Sequence, residues 1–223
     1  MKITQGRLSL SFDDRHFDAW LEALPLFERY QAHATFFICS EIDGDAANVM
    51  STLKQHGHTI GLHGLSHAKA VDFVAEHGVQ EYAERELKPQ LDACRKYGME
   101  CRVFAYPSSQ RNEVTDEVLF RYFDVLRVGQ FERTGLAEND KLFYDPNYQG
   151  KRLMLGTSLT NHFDLSEAVQ AIERIGRKNE QIVFYAHSII PEGKHSHHIS
   201  LGDLEILLEC AKKNNVQVTG LAE

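Results

Sequence analysis

The sequence lacks a long apolar run, an excess of basic residues and closely spaced cysteines, and each absence excludes a class of protein. Charged side chains such as Lys2 and Arg7 interrupt residues 1 to 20, so neither a secretory signal nor a transmembrane helix is predicted. The formal net charge of -8 argues against a nucleic-acid or anionic-membrane surface, because phosphate binding requires clustered lysine and arginine. We therefore expect a cytoplasmic protein that binds neither nucleic acid nor membrane.

The cysteines also exclude a common kind of metal site. The four of them are scattered without a CxxC pair or another close ligand spacing, so a cysteine-built zinc site is not indicated. In a reducing cytoplasm we expect them to be small buried residues with free thiols. Nothing in the sequence indicates an oligomeric state. The cysteines are Cys39, Cys94, Cys101 and Cys210.

What the chain does contain is the composition of an ordinary folded domain. Of its 223 residues, 43% are hydrophobic and 25% are charged. Short β-rich runs alternate with longer amphipathic stretches, a pattern typical of a parallel sheet or barrel wrapped by helices. We predict a single domain over residues 1–223, with the fold of a distorted (β/α) barrel of about seven parallel strands.

The predicted elements cover most of the chain, and residues 129 to 162 are the exception. Those residues have no regular period and are predicted to be loop with short β pieces. The predicted strands are Arg7 to Phe12, Ala34 to Ile38, Thr59 to Leu62, Cys101 to Ala105, Phe123 to Val128, Ile182 to Ala186 and Val216 to Gly220. The predicted helices are Phe17 to Tyr30, Ala46 to His56, Gln80 to Tyr97, Glu113 to Arg121, Ser166 to Lys178 and Leu201 to Asn214.

Polar residues with catalytic chemistry follow several of these strands. Asp13 and Asp14 come directly after the first strand, His63 after the third and His187 after the sixth. The carboxyl ends of parallel barrel strands meet on one face, where active sites are built. We therefore expect these four residues to lie close together.

The adjacent carboxylates and a pair of histidines have the chemistry of a metal site. His63 and His67 are four residues apart, which on a helical turn places both rings on one face. Zn²⁺ accepts imidazole nitrogen and carboxylate oxygen, so two histidines and one aspartate can hold it and leave the other aspartate as a base. Taken separately, an Asp-Asp pair is more typical of a turn or helix N-cap, and an HxxxH pair of surface histidines.

His187 and three later histidines have two interpretations each. A lone histidine after an apolar strand is ordinarily a core residue, but imidazolium with a pKa of about 6.5 is also a suitable general acid. His195, His197 and His198 resemble metal ligands in their spacing. Their setting of glycine, lysine and serine after Pro191 instead predicts a solvated loop.

In their order along the chain, these motifs resemble the polysaccharide deacetylase family, also called carbohydrate esterase family four. The resemblance runs from about Leu8 to the C-terminus. It implies that Asp13 is the catalytic base, that Asp14, His63 and His67 bind a divalent metal ion, and that His187 is the catalytic acid. The motifs that carry it are Phe12-Asp13-Asp14, Ala34 to Ile38, Gly57 to His63, and Phe104-Ala105-Tyr106-Pro107.

The resemblance also implies a substrate-binding segment, a cofactor and a reaction. Tyr106, Pro107 and Ser108 match the segment whose backbone N–H, here that of Ser108, stabilises the oxyanion. Zn²⁺ is the first choice of metal, with Co²⁺, Mn²⁺ and Ni²⁺ as alternatives. The implied reaction is removal of an N-acetyl group, or less favourably an O-acetyl group, from a saccharide. Two other functions stay open: hydrolysis of another small amide or C–N bond, and non-catalytic binding of a metal or saccharide.

The chain departs from the family pattern at residues that support the base and the acid. Ala105 stands where the family has the arginine that pairs with the base. No segment matches the family's Asp-x-x-Asp-Trp motif, and the only tryptophan is Trp20. Arg111 and Arg127 are the candidates to replace the missing arginine in space.

Overall fold

A parallel β-sheet that closes on itself forms the centre of the structure. The computed structural model describes residues 5–130, 135–147, 150, 152–159, 164–193 and 197–221. Its strands are β1 (Arg7–Asp14), β2 (Thr35–Ile38), β3 (Thr59–Leu62), β4 (Val103–Ala105), β5 (Val125–Gln130), β6 (Arg152–Ser158), β7 (Gln181–Ala186), β8 (Ile189–Ile190), β9 (Ile199–Ser200) and β10 (Gln217–Thr219).

Strands β1 to β7 pair side by side in chain order, and β1 pairs with β7 to close the barrel. All of these pairings are parallel. The predicted distorted (β/α) barrel with seven parallel strands is therefore confirmed. Strand β10 pairs with the first residues of β1, while β2 pairs with its last four, so these two strands follow each other along one edge of β1. Strands β8 and β9 form a separate parallel pair.

Helices follow most of the strands and cover the outside of the barrel. They are α1 (Phe17–Glu22), α2 (Leu24–Tyr30), α3 (Gly44–Gln55), α4 (Ala70–Tyr82), α5 (Lys88–Lys96), α6 (Glu113–Leu119), α7 (Leu165–Lys178) and α8 (Leu201–Lys213). A π-helical turn, Ala83–Leu87, joins α4 to α5. Within the described ranges, no helix is long and apolar enough to span a membrane.

Strand β1 shows how side-chain alternation separates the core from the site. Leu10 and Phe12 belong to the apolar cluster that the helices complete, and both are buried. Ser11 and Asp13 alternate with them and face the barrel interior, where they are also buried. The inner face of β1 is therefore polar and ends in a carboxylate.

Several elements differ from the prediction. Strand β6 lies within residues 129–162, which are predicted to be mostly loop; its first residues are only half-buried, so its apolar pattern is weak. The predicted strand near the C-terminus is β10, which lies beside the closed ring. The barrel has seven strands, as predicted, but β6 is one of them in place of the strand predicted near the C-terminus.

The helices differ from the prediction in two places. The predicted helix from Phe17 to Tyr30 is divided at Ala23, because Pro25 occupies the first turn of α2, where proline is favoured. Helix α4 is not predicted, and only two of its side chains, Ala70 and Tyr82, are buried. A helix with so few buried positions leaves no apolar stripe in the sequence.

Candidate functional site

The carboxyl ends of β1, β3 and β7 bring the predicted site residues together. Asp13 and Asp14 are the last residues of β1, and His63 and His187 directly follow β3 and β7. The Nε2 atoms of His63, His67 and His187 lie 3.6, 3.8 and 3.9 Å from the carboxylate oxygens of Asp14. The structure thus places all five side chains in one cluster.

Three of these residues have the geometry of a metal site. One ligand atom from each of Asp14, His63 and His67 lies within 4.8 Å of the other two. Tetrahedral ligands at about 2.0 to 2.2 Å from Zn²⁺ are roughly 3.4 Å apart, so a small inward movement suffices. One carboxylate and two imidazoles form a donor set that fits a divalent ion and leaves coordination positions open. The backbone of Asp14 is left-handed (φ 81°), which turns its carboxylate away from the strand pleat.

His63 is fixed in the orientation that a ligand requires. Its ring is 2% exposed, and Nδ1–H donates a hydrogen bond to the carbonyl of Ala105 at 2.8 Å. Burial lowers the pKa of His63 to about 4, so the ring is neutral at pH 7. Nε2 therefore carries a lone pair and points at the carboxylate of Asp14.

The two metal-site histidines are not joined by a helical turn, as predicted, but by an irregular loop. Residues 63–69 contain no helix. Gly64 has a φ of 80° and His67 a φ of 58°, and these left-handed positions turn the loop back on itself. The ring centroids of His63 and His67 lie 5.0 Å apart. The two rings are close, as predicted, but the irregular loop and not a helical turn brings them together.

Glu86, which sequence reasoning missed, holds this loop. Its carboxylate accepts hydrogen bonds from the backbone N–H of Ser66 at 2.9 Å and from the Ser66 hydroxyl at 2.7 Å. The backbone carbonyl of Glu86 also accepts a hydrogen bond from the backbone N–H of Leu65. Glu86 is 4% exposed and lies in the π-helical turn. Such a turn contains more residues than an α-helical turn, and here it directs the Glu86 side chain toward the loop.

We expect Glu86→Gln to weaken Zn²⁺ binding by about 10- to 100-fold, the usual effect of removing a group that orients metal ligands. Glutamine can accept only one of the two bonds from Ser66, so the loop that carries His67 loses a fixed position. Competition with a chromophoric chelator measures the affinity. Glu84→Gln is the matched control, because Glu84 belongs to the same turn but is exposed and pairs with Lys88. Equal affinities in the two variants would contradict the role of Glu86.

The base position, Asp13, is paired with Arg127. The guanidinium NH2 of Arg127 donates to Oδ2 of Asp13, and both side chains are almost completely buried. Residues Ala105 and Arg127 are register partners on β4 and β5, so the arginine lies directly beside the alanine that replaces the family arginine. Of the two arginines considered from the sequence, Arg127 is therefore the one that reaches the base. Arg111 instead pairs with Asp116.

Aromatic rings hold the guanidinium of Arg127 in place. Its Cζ lies 4.3 Å from the ring centroid of Tyr185 and 5.4 Å from that of Phe37. Cation–π contacts of this kind are stronger where water is excluded. Arg127 is thereby pre-oriented toward β1.

This pairing determines the charge of Asp13. Burial by itself raises the pKa of the carboxyl, but the Arg127 guanidinium, together with His63 and His187, holds the pKa below its usual value. Among the described residues, Oδ1 of Asp13 has no hydrogen-bond partner. Asp13 is therefore an ionised carboxylate with one oxygen held by arginine and the other available to accept a proton.

His187 is anchored by its backbone and by one ring nitrogen. Its Nδ1–H donates to the carbonyl of His197 at 3.1 Å, and its backbone N–H donates to the same carbonyl at 2.8 Å. The indole N–H of Trp20 donates to the carbonyl of His187 at 2.8 Å. These contacts leave Nε2 directed at Asp14.

The histidine-rich segment is closer to the site than its prediction as a solvated loop implies. His195 lies outside the described residues. His197 is exposed, but its ring is 5.0 Å from that of His187. His198 is half-buried, and its ring is 5.3 Å from that of His16, which in turn lies beside Asp14. His197 and His198 therefore lie at the rim of the site, where the backbone carbonyl of His197 accepts hydrogen bonds from His187.

The segment of Tyr106, Pro107 and Ser108 requires one correction. The Tyr106 side chain is 1% exposed and its hydroxyl donates to Asp116 at 2.6 Å, so it supports the segment from the core and does not line the site. Pro107 is buried as well. Ser108 is exposed and has a left-handed backbone (φ 52°), as does Ser109 (φ 55°). Strained backbone of this kind is concentrated at functional sites.

Comparison with known proteins shows the family and the fold. The family model described as polysaccharide deacetylase matches residues 2–122, a range that contains Asp13, Asp14, His63 and His67 but not Arg127 or His187. No curated protein matches the sequence significantly.

Solved structures share the fold at low sequence identity. A family 4 carbohydrate esterase from Streptomyces lividans, in complex with acetate, is 14% identical with a TM-score of 0.62, covering 98% of this chain and 93% of that chain. A polysaccharide deacetylase from Bacillus cereus is 16% identical with a TM-score of 0.58, at 98% and 93% coverage. The catalytic domain of a peptidoglycan N-acetylglucosamine deacetylase from Eubacterium rectale is 14% identical with a TM-score of 0.60, at 100% and 91% coverage. Because the family model spans more than half of the sequence, the chain belongs to the polysaccharide deacetylase family.

Proposed function

We propose that the protein is a metal-dependent hydrolase that removes an acetyl group from an N-acetylated, or less favourably an O-acetylated, saccharide. One observation carries the proposal: a carboxylate and two imidazoles, placed to hold a metal ion, lie beside a buried, ionised Asp13 whose Oδ1 has no partner among the described residues. Hydrolysis of an amide requires an electrophile and a base in this proximity. Family membership supports acetyl as the acyl group that is removed from the substrate and released as acetate.

Asp14, His63 and His67 would hold the divalent ion, with Zn²⁺ as the first choice and Co²⁺, Mn²⁺ or Ni²⁺ as alternatives. When bound, the ion supplies positive charge that polarises the substrate carbonyl and lowers the pKa of water. The remaining steps depend on residues of the chain itself.

Asp13 removes the proton of the attacking water through Oδ1, while Arg127 keeps Oδ2 and the carboxylate plane fixed. His187 then protonates the departing amine through Nε2, because its Nδ1–H is already committed to the His197 carbonyl. The backbone N–H of Ser108 donates to the oxyanion that forms when water adds to the carbonyl. Each role is assigned to a group that the fold holds in one orientation.

Among the similar structures, the protein from Eubacterium rectale is a peptidoglycan N-acetylglucosamine deacetylase and the protein from Bacillus cereus is a polysaccharide deacetylase. We extend to this chain only the shared chemistry, an acetylated amino sugar. If the protein acts in the cytoplasm, as the sequence predicts, a short or intracellular saccharide is the expected substrate. We also propose that residues 1–223 act as one catalytic domain.

The test measures acetate released from N-acetylated chitooligosaccharides, together with metal content per chain. We expect chelation to reduce release to the uncatalysed background and Zn²⁺ to restore it. His67→Gln should lose both metal and activity. His77→Gln is the matched control and should lose neither, because His77 lies on α4 beside Phe73, away from the site.

The other outcomes separate the alternatives. Turnover of a small cyclic or linear amide, without release from acetylated saccharides, would favour the broader C–N hydrolase. Stoichiometric metal without turnover of any acylated amine would favour a non-catalytic binding protein. Activity that survives complete metal removal would contradict the proposal.

A further inference from the structure

Two of the four cysteines lie against each other on the outer side of the barrel. The Sγ atoms of Cys94 and Cys101 are 3.0 Å apart, and both residues are buried free thiols. Because a disulfide bond is about 2.05 Å long, the two sulfur atoms need approach by only about 1 Å to form one. Free thiols are expected from the sequence, but their proximity is not.

The backbone fixes this proximity. Helix α5 ends shortly after Cys94, and Gly98 (φ 69°) takes the left-handed conformation that closes a helix. The backbone N–H of Met99 donates to the carbonyl of Cys94 at 2.8 Å, which turns the chain back over the helix. Cys101 follows this turn and precedes β4 by two residues, so it faces Cys94 without any rearrangement of the fold.

A small molecule can reach the pair. A cavity of about 480 Å³ opens beside it and is lined by both cysteines together with Leu91, Arg95, Met99 and Phe123. The two thiols share a hydrogen bond in which either sulfur can be the donor; this contact lowers the pKa of Cys94, and the Arg95 charge acts in the same direction. The pKa of Cys101 is raised by the same contact and by burial. The Arg95 charge favours the thiolate of Cys94, so we assign Cys94 as the attacking sulfur.

We propose that Cys94 and Cys101 are an oxidisable dithiol that hydrogen peroxide, or another small hydroperoxide, converts into an intramolecular disulfide. The Cys94 sulfur attacks one peroxide oxygen, the O–O bond breaks, and a sulfenic acid and one water are formed. The Cys101 sulfur then attacks the Cys94 sulfur, the S–O bond breaks, and the hydroxyl leaves as a second water. Two thiols and one peroxide therefore give one disulfide and two waters.

The test is peptide mapping of the intact chain before and after peroxide treatment, with alkylation under denaturing conditions. We expect all four cysteines to be alkylated in the untreated protein and only Cys39 and Cys210 after treatment. Trypsin cleaves after Arg95, so the disulfide appears as two linked peptides that separate on addition of dithiothreitol. The wild-type chain alone decides the question.

Two variants sharpen the result. Cys210→Ser should leave the disulfide unchanged, because Cys210 lies on α8. Cys101→Ser should abolish the linked peptides and let oxygen accumulate on Cys94 instead. The proposal is overturned if treated wild-type protein keeps four alkylatable thiols, or links Cys94 to a different cysteine. Irreversible oxygen addition at Cys94 while Cys101 stays alkylatable would overturn it as well.

Discussion

Asp13→Asn is expected to lower acetate release by about 10²- to 10⁴-fold, the usual contribution of a positioned general base, while Zn²⁺ stays bound. Asparagine has nearly the same shape as aspartate, and its carbonyl oxygen can still accept the hydrogen bond from Arg127. What is lost is the carboxylate oxygen, Oδ1, that accepts the proton of water. Turnover on a chitooligosaccharide and metal content, measured on the same sample, check the result.

Asp14→Asn is the matched control, because it makes the same chemical change in the adjacent residue. We expect this variant to lose metal affinity and, in consequence, activity. Metal content would then distinguish the two variants, because Asp13→Asn keeps the ion and Asp14→Asn loses it. Metal loss in Asp13→Asn together with retained activity would show that the roles of base and ligand are assigned incorrectly.

Arg127→Met is expected to lower the free energy of unfolding by about 3 to 5 kcal/mol, because removing one partner of a buried ion pair leaves an uncompensated charge. Methionine fills much of the space between Tyr185 and Phe37 but cannot pair with Asp13. Denaturant unfolding at pH 7 measures the loss. A change of less than about 1 kcal/mol, the range of surface ion pairs, would contradict the importance of this pairing.

The same variant is expected to move the acid limb of the pH–rate profile to higher pH. With Arg127 present, the pKa of Asp13 is below its unfolded value, so its stabilising contribution is present above the unfolded pKa and is lost as pH falls through the folded pKa. Without the guanidinium, burial is opposed only by His63 and His187, so the pKa of Asp13 rises. The stability lost in Arg127→Met should therefore be largest at neutral pH and should shrink on acidification toward pH 4 and below.

Two further variants separate this coupling from a general loss of stability. The double variant Asp13→Asn/Arg127→Met removes both charges, and we expect its unfolding free energy to fall by less than the sum of the single changes. Arg111→Met removes an arginine that pairs with Asp116 and does not contact Asp13. It should leave the acid limb of the pH–rate profile unchanged.

The sequence predicts the barrel well, and it predicts that the candidate metal ligands lie close together, because both depend on local patterns. Alternating apolar runs define strands, and Asp14 and His63 are found at strand ends by position alone. Strand β6 is not predicted, because it is half-buried and has no clear alternation. Helix α4 is missed for a similar reason, since most of its surface faces solvent.

The supporting contacts of the site are harder to predict, because they join distant parts of the chain. Arg127 gives one usable signal: an arginine inside an apolar strand must have a buried partner. Glu86 gives none, since its role depends on a π-helical turn. The carbonyl of His197 gives none either, because every residue has a backbone carbonyl and the sequence does not show which one lies beside His187. Arg127 on β5 is the register partner of Ala105 on β4, so it lies beside the position where the family pattern has an arginine.

Closure of the barrel by β1 and β7 has a consequence for how the chain folds during synthesis. Arg7 pairs with Gln181, so one edge of β1 has no partner until β7 has been made. At about 5 to 20 residues per second, this delay lasts roughly ten to thirty seconds on the ribosome. Asp14, His63 and His67 are synthesised early in that interval, whereas Arg127, which pairs with the proposed base, and His187, the proposed acid, emerge later. The nascent chain therefore carries all three proposed metal ligands well before it can carry the complete proposed catalytic centre.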